Sequence, residues 1–321
     1  MKPSLDEVLS SVKVIALPMR TTFRGLNIRE TALIEGPSGW GEFAPFVEYD
    51  DQESVPWLQS AIESAFGPTF PTNRSSIPIN GTIPALDDKN EIEKLVARYP
   101  GVKVFKVKVG TTLQRDLARI AMVRSIAPDA KIRIDVNGSW SVNDAVFNIR
   151  TIYGEVAGDA LEYVEQPVAT LDELRELKER LVVDVKIAGD EVIRKAKDPF
   201  AIDLAGAIDV AMVKVAPLGG IERSLKIAAH HKLPVVVSSA LESAVGISHG
   251  LRLAAVLPHL DFAAGLGTGA LFEGDVGELP IVNGEMRVSA VTPEKLERFE
   301  ISGERLEWWR NRIRNVWEVA A

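Results

Sequence analysis

From about residue 77 to 270 the chain alternates short β-branched runs with helix-length stretches, the pattern that parallel strands and their crossover helices impose. Strand-like runs fall at 78–84, 102–110, 131–138, 161–167, 185–191, 208–217, 234–240 and 261–268. Between them, sets such as Leu117, Ile120, Ala121 and Val123, or Leu225, Ala228 and Ala229, recur at helical spacing. Eight strands in alternation favour a closed barrel over an open doubly wound sheet, and such a barrel takes about 250 residues. The chain has 321 residues, which leaves room for a smaller module beside it.

That module is expected at 1–76, an α+β unit with strands near 12–17 and 31–35, a turn at Gly36-Pro37-Ser38-Gly39 and a helix near 53–66. The barrel then occupies 77–278. The segment 279–321 adds a strand-like piece at 286–288 and a Trp-rich amphipathic helix at 304–319, expected to pack back on the N-terminal module as part of one capping domain. No Gly/Ser linker or low-complexity stretch separates these parts, so they are expected to be rigidly joined.

Composition excludes several functions. A formal charge of −8 gives no basic footprint for a phosphate backbone, so no nucleic-acid partner is expected. With no cysteine there is no disulfide scaffold, thiolate metal site or cysteine nucleophile. The N-terminal Met1-Lys2-Pro3-Ser4-Leu5-Asp6-Glu7 carries two acids where a signal peptide would be basic, and no apolar run reaches the length of a membrane span. The expectation is a cytoplasmic protein acting on a small molecule, with no membrane partner; a monomer is compatible with the composition, which fixes no oligomeric state.

Strand parity locates the candidate chemistry, because alternate side chains point to opposite faces. Phe105, Val107 and Val109 are apolar and should face the helices, which turns Lys106 and Lys108 into the barrel. By the same logic Ile132, Ile134 and Val136 face outward and Arg133, Asp135 and Asn137 inward. Glu165, Asp190, Glu191 and Lys214 fall at the C-terminal ends of the next strands, where barrel active sites are built. For any one of these charges, a strand cap or a solvated loop is at least as good a reading. Jointly they need mutual pairing or a metal, since an unpaired charge inside a barrel costs several kcal/mol. Structural salt bridges are one solution. The other is that Asp135, Glu165 and Asp190 hold a hard divalent cation, magnesium with manganese able to substitute. Lysines crowded beside such a site become usable bases, which implies abstraction of a proton next to a carboxylate.

The set Lys106-x-Lys108, Asp135-x-Asn137, Glu165-Gln166-Pro167, Asp190-Glu191 and Lys214, at successive strand ends, resembles the muconate-lactonizing branch of the enolase superfamily. The resemblance covers essentially the whole chain and implies an enolase-type (β/α)7β barrel with an α+β capping domain. Within that branch, Gly39-Trp40-Gly41-Glu42-Phe43-Ala44-Pro45-Phe46 and Ser238-Ser239-Ala240-Leu241-Glu242-Ser243 are similar to the o-succinylbenzoate synthase family, which dehydrates a cyclohexadiene carboxylate in menaquinone biosynthesis. The resemblance implies Lys108 as general base, Lys106 as its electrostatic helper and Lys214 as the cation that stabilises an enediolate. It implies Asp135, Glu165 and Asp190 as Mg2+ ligands. Substrate contacts are expected at Asn137, Ser238, Ser239, Gly267, Phe23 and Arg24, with Glu191 and Arg133 in support. The segment 19–25 is expected as a loop that closes over the barrel mouth, with an arginine for a substrate carboxylate.

Relatives with the same residues racemise N-acyl amino acids or epimerise dipeptides. Here Lys214 is followed by Val215-Ala216-Pro217 and not by the Pro-Gly-Arg that racemase members often carry, and Gly265-Leu266-Gly267-Thr268-Gly269 lacks an Asp-x-Asp motif. A Schiff-base aldolase using a barrel lysine and a non-catalytic barrel are the remaining alternatives; the acid cluster argues against both.

Overall fold

A computed structural model of the chain describes residues 3–156, 158 and 160–320, so Met1 and Lys2 of the acidic N-terminal stretch lie outside the described residues. Helix α1 (Leu5–Ser11) starts at a capping box, in which Ser4 and Glu7 satisfy each other's backbone N–H groups. Three antiparallel strands follow, β1 (Val12–Phe23), β2 (Leu26–Gly36) and β3 (Gly39–Phe43), with α2 (Asp51–Phe66) packed against them. Residues 19–23, expected in a loop, instead continue β1. The turn is confined to Arg24 and Gly25, at φ 52° and 75°, the left-handed geometry that a two-residue hairpin requires.

After β4 (Ser76–Pro78) comes one parallel sheet in sequence order: β5 (Gly81–Ile83), β6 (Val104–Lys108), β7 (Lys131–Asp135), β8 (Leu161–Glu165), β9 (Lys186–Gly189), β10 (Val210–Val213) and β11 (Val235–Val237). The returning helices are α3 (Lys89–Val96), α4 (Leu113–Ile126), α5 (Val142–Glu155), α6 (Leu171–Arg180), α7 (Glu191–Arg194), the pair α8 (Val215–Leu218) and α9 (Ile221–His231), and α10 (Ala244–Val256). Thr112, Ser141, Thr170 and Ser243 cap the N-termini of α4, α5, α6 and α10 with their side-chain oxygens, so the helix starts are encoded locally.

The eighth strand, expected at 261–268, is reduced to two parallel bridges, Ala264 to Ile79 and Gly265 to Ser238. Ala264 N donates to the Pro78 carbonyl at 2.7 Å and Gly265 N to the Val237 carbonyl at 2.8 Å, and these bonds close the barrel. The chain then turns into a 3₁₀ helix at Gly267–Leu271, since a run with three glycines has few side chains to hold it extended.

The tail divides. A hairpin of β12 (Ile281–Val282) and β13 (Glu285–Arg287) pairs with β4 at the N-terminal end of the barrel, away from the capping sheet. After α11 (Leu296–Phe299), the helix α12 (Glu304–Ala320) lies on α2: Trp309 is fully buried edge-on to Phe43, and Arg312 donates to the carbonyls of Phe46 and Tyr49 at 2.8 and 2.7 Å. No helix among the described residues is long and apolar enough to cross a membrane.

Parity holds along the lumen. Tyr163, Ala188, Val210, Met212 and Val236 form a buried inner cluster with Phe262. Arg133 joins this floor, 4.7 Å from the Tyr163 ring, paired to Glu162 at 2.6 Å and donating to Asn80 Oδ1 and the Ala263 carbonyl, each at 2.8 Å. Expected beside the chemistry, Arg133 is instead part of the plug beneath it.

Close approach of β3 to α2 depends on glycine, because a Cβ on Gly41 would collide with the Ala61 carbonyl. Gly41→Val is expected to lower stability by about 3 kcal/mol, an overpacking cost, measured by urea unfolding at constant m-value. A loss under about 0.5 kcal/mol would show that the module has slack at this contact.

Candidate active site

Register sets the site. Lys108 pairs with Asp135 and Asp135 with Glu165 across β6, β7 and β8, so three functional side chains share one row of the lumen. Lys106 lies a row below, beside Thr82 and Arg133. Asp190 follows β9 and Lys214 follows β10. In the closed ring, β6 and β10 stand on opposite sides, so Lys106 and Lys108 face Lys214 across the mouth.

The charges are paired. Lys106 Nζ lies 3.1 and 3.0 Å from the two Glu165 oxygens and 3.5 Å from Asp135 Oδ2, while Lys108 Nζ lies 3.5 Å from Asp135 Oδ1. Lys214 Nζ donates to Asp190 Oδ2 at 2.7 Å, which Arg194 Nε also reaches at 3.2 Å. Burial alone would weaken the Lys106 ammonium, but Glu165 and Asp135 outweigh it and hold its pKa above the ordinary lysine range. Crowding therefore does not turn Lys106 into a base in this arrangement. Burial raises Glu165 to about 7 against the pull of Lys106. At Asp190, burial is overcome by Lys214 and Arg194, which hold the carboxyl well below its usual range; Lys108 and Lys106 do the same for Asp135.

Among the described residues, no three acids or histidines are already gathered closely enough to hold a metal ion, because each carboxylate is turned toward a lysine. The residues nonetheless fit a hard cation. All three donors are carboxylates near enough to raise one another's pKa, and Asp190 Oδ1 is buried with no hydrogen-bond partner. Gln166 steadies this group by accepting from the backbone N–H of Asp190 at 3.0 Å and of Val192 at 3.2 Å. Asn137 Nδ2 donates to Glu191 Oε1 at 3.1 Å, and Arg194 holds the same oxygen at 2.7 Å.

The inner cavity holds about 50 Å3 and brings together Lys106, Lys108, Asp135, Asn137, Asp190, Lys214, Ser238, Ser239, Phe23 and Arg24. It opens on an outer chamber of about 540 Å3 that shares Phe23, Arg24, Lys108, Asn137 and Arg194 and adds Glu191. Arg24, at the hairpin tip, stacks 4.0 Å from the Phe46 ring. Glu165 lies buried behind Lys106. Gly267, expected to touch substrate, points elsewhere: a Cβ there would meet Asn80, Ile79 and Tyr99. Gly265 and Thr268 line the cavity in its place, with Thr268 hydrogen-bonded to Ser239 at 2.9 Å. Sequence reasoning missed Arg194, although it stands four residues after Asp190 and so shares its helix face. It also left Thr82, Phe46 and Leu241 unassigned, although Phe46 and Leu241 lie in the 39–46 and 238–243 motifs. The histidines are structural where bonded: His249 and His231 hold the Trp40 and Pro199 carbonyls.

Behind the 238–243 wall lies a second buried acid group. Glu42 accepts from Ser243 N, Ser243 Oγ and Gly246 N, and Asp275 accepts from Ala244 N, all at the start of α10. Burial, reinforced by Glu42, raises both Glu242 and Asp275 to about 7.

Comparison with known proteins identifies the family and the fold. Residues 14–65 match the family model described as enolase N-terminal domain-like, and 88–293 match enolase C-terminal domain-like. The chain is 49% identical over 317 residues to o-succinylbenzoate synthase of Mycobacterium ulcerans, covering 97% of this chain and 94% of that one. It is 48% identical over 323 residues to the Mycobacterium tuberculosis o-succinylbenzoate synthase, covering 99% and 97%. Solved structures share the fold at lower identity. Muconate cycloisomerase from Pseudomonas fluorescens superposes with a TM-score of 0.71 at 20% identity, covering 91% of this chain and 98% of that one. The L-Ala-D/L-Glu epimerase from Bacillus subtilis gives 0.71 at 22%, covering 91% and 97%.

The buried acids give the fold a pH dependence of definite sign. The folded state holds the Glu242 proton to about 7, whereas the unfolded chain releases it near about 4.3, so stability drains away as pH rises through that window. Glu242→Gln removes this loss. Its Tm relative to the parent is expected to rise between pH 5 and pH 8, and an offset that stays the same at both would contradict the assignment.

Proposed function

This chain belongs to the o-succinylbenzoate synthase family of the enolase superfamily, and from that premise we propose how its own side chains carry the reaction. The enzyme is a carbon–oxygen lyase: 2-succinyl-6-hydroxy-2,4-cyclohexadiene-1-carboxylate loses water and becomes the aromatic o-succinylbenzoate of menaquinone biosynthesis. In our reading neutral Lys108 takes the ring proton beside the carboxylate, leaving an enediolate. The same ammonium then gives that proton to the hydroxyl on the same ring face as its C–O bond breaks, so water leaves and the ring electrons close into the aromatic sextet. Lys106, held cationic by Glu165, supplies field to this side of the site. Lys214, opposite, stays protonated and balances the enediolate charge. The observation that carries this reading is the placement of two lysine groups across one mouth with three carboxylates between them.

Enzymes of this superfamily depend on a divalent cation. In this chain Asp135, Glu165 and Asp190 would hold it, Mg2+ with Mn2+ as substitute. When bound, it supplies Lewis-acid stabilisation for charge developing on the substrate carboxylate. Asn137, Ser238, Ser239, Phe23 and Arg24 would contact substrate, the Arg24 guanidinium leaving Phe46 for the succinyl carboxylate. Glu191, with Arg194, would orient Asn137 and Asp190. We read the enzyme as cytoplasmic, with a capping module at 1–76, the barrel at 77–278 and a closing segment at 279–321.

Loss of the cyclohexadiene absorbance tests the reading. Turnover with Mg2+ should stop in excess EDTA, and Lys108→Ala should lower kcat by about 10³-fold or more. Proton exchange into an N-succinyl amino acid in deuterated water, without diene turnover, would transfer the assignment to a racemase. Arg24→Ala should raise KM for the succinyl substrate about tenfold with kcat little changed, and unchanged kinetics would remove Arg24 from the site.

A further inference from the structure

The cavity wall made by Ser239, Ala240 and Leu241 is not held by the barrel alone. Leu241 has φ 66°, a left-handed conformation that is strained for a residue with a Cβ. Its carbonyl accepts from Arg29 Nε at 3.1 Å, and Arg29 comes from β2 of the capping module. The Arg29 side chain is buried, its Nη2 donating to the Ala44 carbonyl, and the guanidinium lies 4.3 Å from the Phe46 ring that Arg24 also covers. Two residues beyond Leu241, Glu42 of β3 takes Ser243 N at 3.0 Å, Ser243 Oγ at 2.6 Å and Gly246 N at 2.8 Å. A Cβ on residue 246 would come within 2.5 Å of Glu242 Cβ and 2.8 Å of Glu42 Oε2, so glycine lets the start of α10 close on both side chains.

We propose that Arg29 is a positioning residue of the active site: with Glu42, it pins the 240–246 segment to the capping module, keeps Leu241 left-handed and so sets the wall against which substrate rests. Both side chains reach across the module boundary from neighbouring strands, and both are buried where they meet the segment. Arg29 carries the charge that offsets Glu42 and Glu242 in this dry region. Losing it frees the Leu241 carbonyl and lets residue 241 relax toward the ordinary φ < 0 basin, which moves Ala240 and Ser239 with it. The lysines and carboxylates stand on other strands and keep their places. The defect is therefore one of binding.

This inference rests on the dehydratase reading, and steady-state kinetics with the diene substrate, together with calorimetric affinity for o-succinylbenzoate, test the two separately. Arg29→Met is expected to raise KM and the product Kd about tenfold with kcat within about twofold, Arg29→Lys to recover part of the loss, and Glu42→Gln to shift KM in the same direction. Folded variants whose KM and product Kd match the parent would overturn the proposal, as would a fall in kcat at constant KM. Should Arg29→Met not fold, Arg29→Lys and Glu42→Gln decide on the same criteria. A parent without diene turnover refutes the dehydratase reading, while product affinity still reports on the wall.

Discussion

Closing the barrel turns every second side chain of each strand into a narrow lumen, where a charge survives only if another charge answers it. At the mouth of this barrel three ammonium groups meet three carboxylates, and Arg194 meets Glu191. That balance lets so many ionised groups occupy a buried row without unfolding it. It also ranks the lysines. Lys106 is locked to a fully buried Glu165, whereas Lys108 touches one oxygen of Asp135 at 3.5 Å and retains twice the exposure, with side-chain values of 23% against 11%. Lys108 is therefore the more loosely paired of the two lysines on β6.

Strand parity made this row legible from sequence. Lys106, Lys108 and Asp135 alternate with apolar residues, so their direction followed from period two, whereas Glu165 and Lys214 were legible only as charges at strand ends. Parity says nothing about depth, which is why Arg133 was placed with the chemistry. It shares the inward face of β7 with Asp135, but lies one row lower, where Tyr163 and Phe262 surround it. The eighth strand and Gly267 failed for a related reason: glycines carry no periodicity, and the backbone at 264–265 closes the ring through two bridges before turning away. The 19–25 segment failed in the opposite direction: Thr21, Thr22 and Phe23 suit a strand, Met19 bridges Phe272, and β1 resumes its pairing with β2 at Phe23 opposite Leu26 after a register shift.

Contacts between the capping module and the barrel left no local mark in the sequence. Glu63 of α2 binds the backbone N–H groups of Ile221 and Glu222 at the start of α9, and Glu42 does the same for α10. These partners are separated by 158 to 204 residues; Glu63 reads as an ordinary surface acid on its helix, and Glu42, although inside the 39–46 motif, carries no sign of its partner. Two barrel helices thus borrow their N-terminal anions from the other module, each acting on the partial positive charge and free N–H groups of a first turn. The helices so held follow directly on the strand ends that carry Lys214 and Ser238.

The two modules therefore divide the work according to stiffness. The groups to which we assign proton transfer stand on or beside strands of a closed sheet, whose hydrogen bonds fix their spacing. Groups that would meet the rest of the substrate sit on a hairpin tip at Arg24 and Gly25 and on a left-handed segment at Leu241, both dependent on the capping module for their shape. The inner cavity holds about 50 Å3 and opens on the larger chamber bounded by the hairpin, so a cyclohexadiene carrying a succinyl arm would extend past Arg24. Arg24 is held by stacking on Phe46, whereas Leu241 is fastened through a buried guanidinium. A site of this construction can change which acid it accepts by altering the hairpin and the fastened wall, while the row of lysines and carboxylates to which we assign the proton transfer stays as it is.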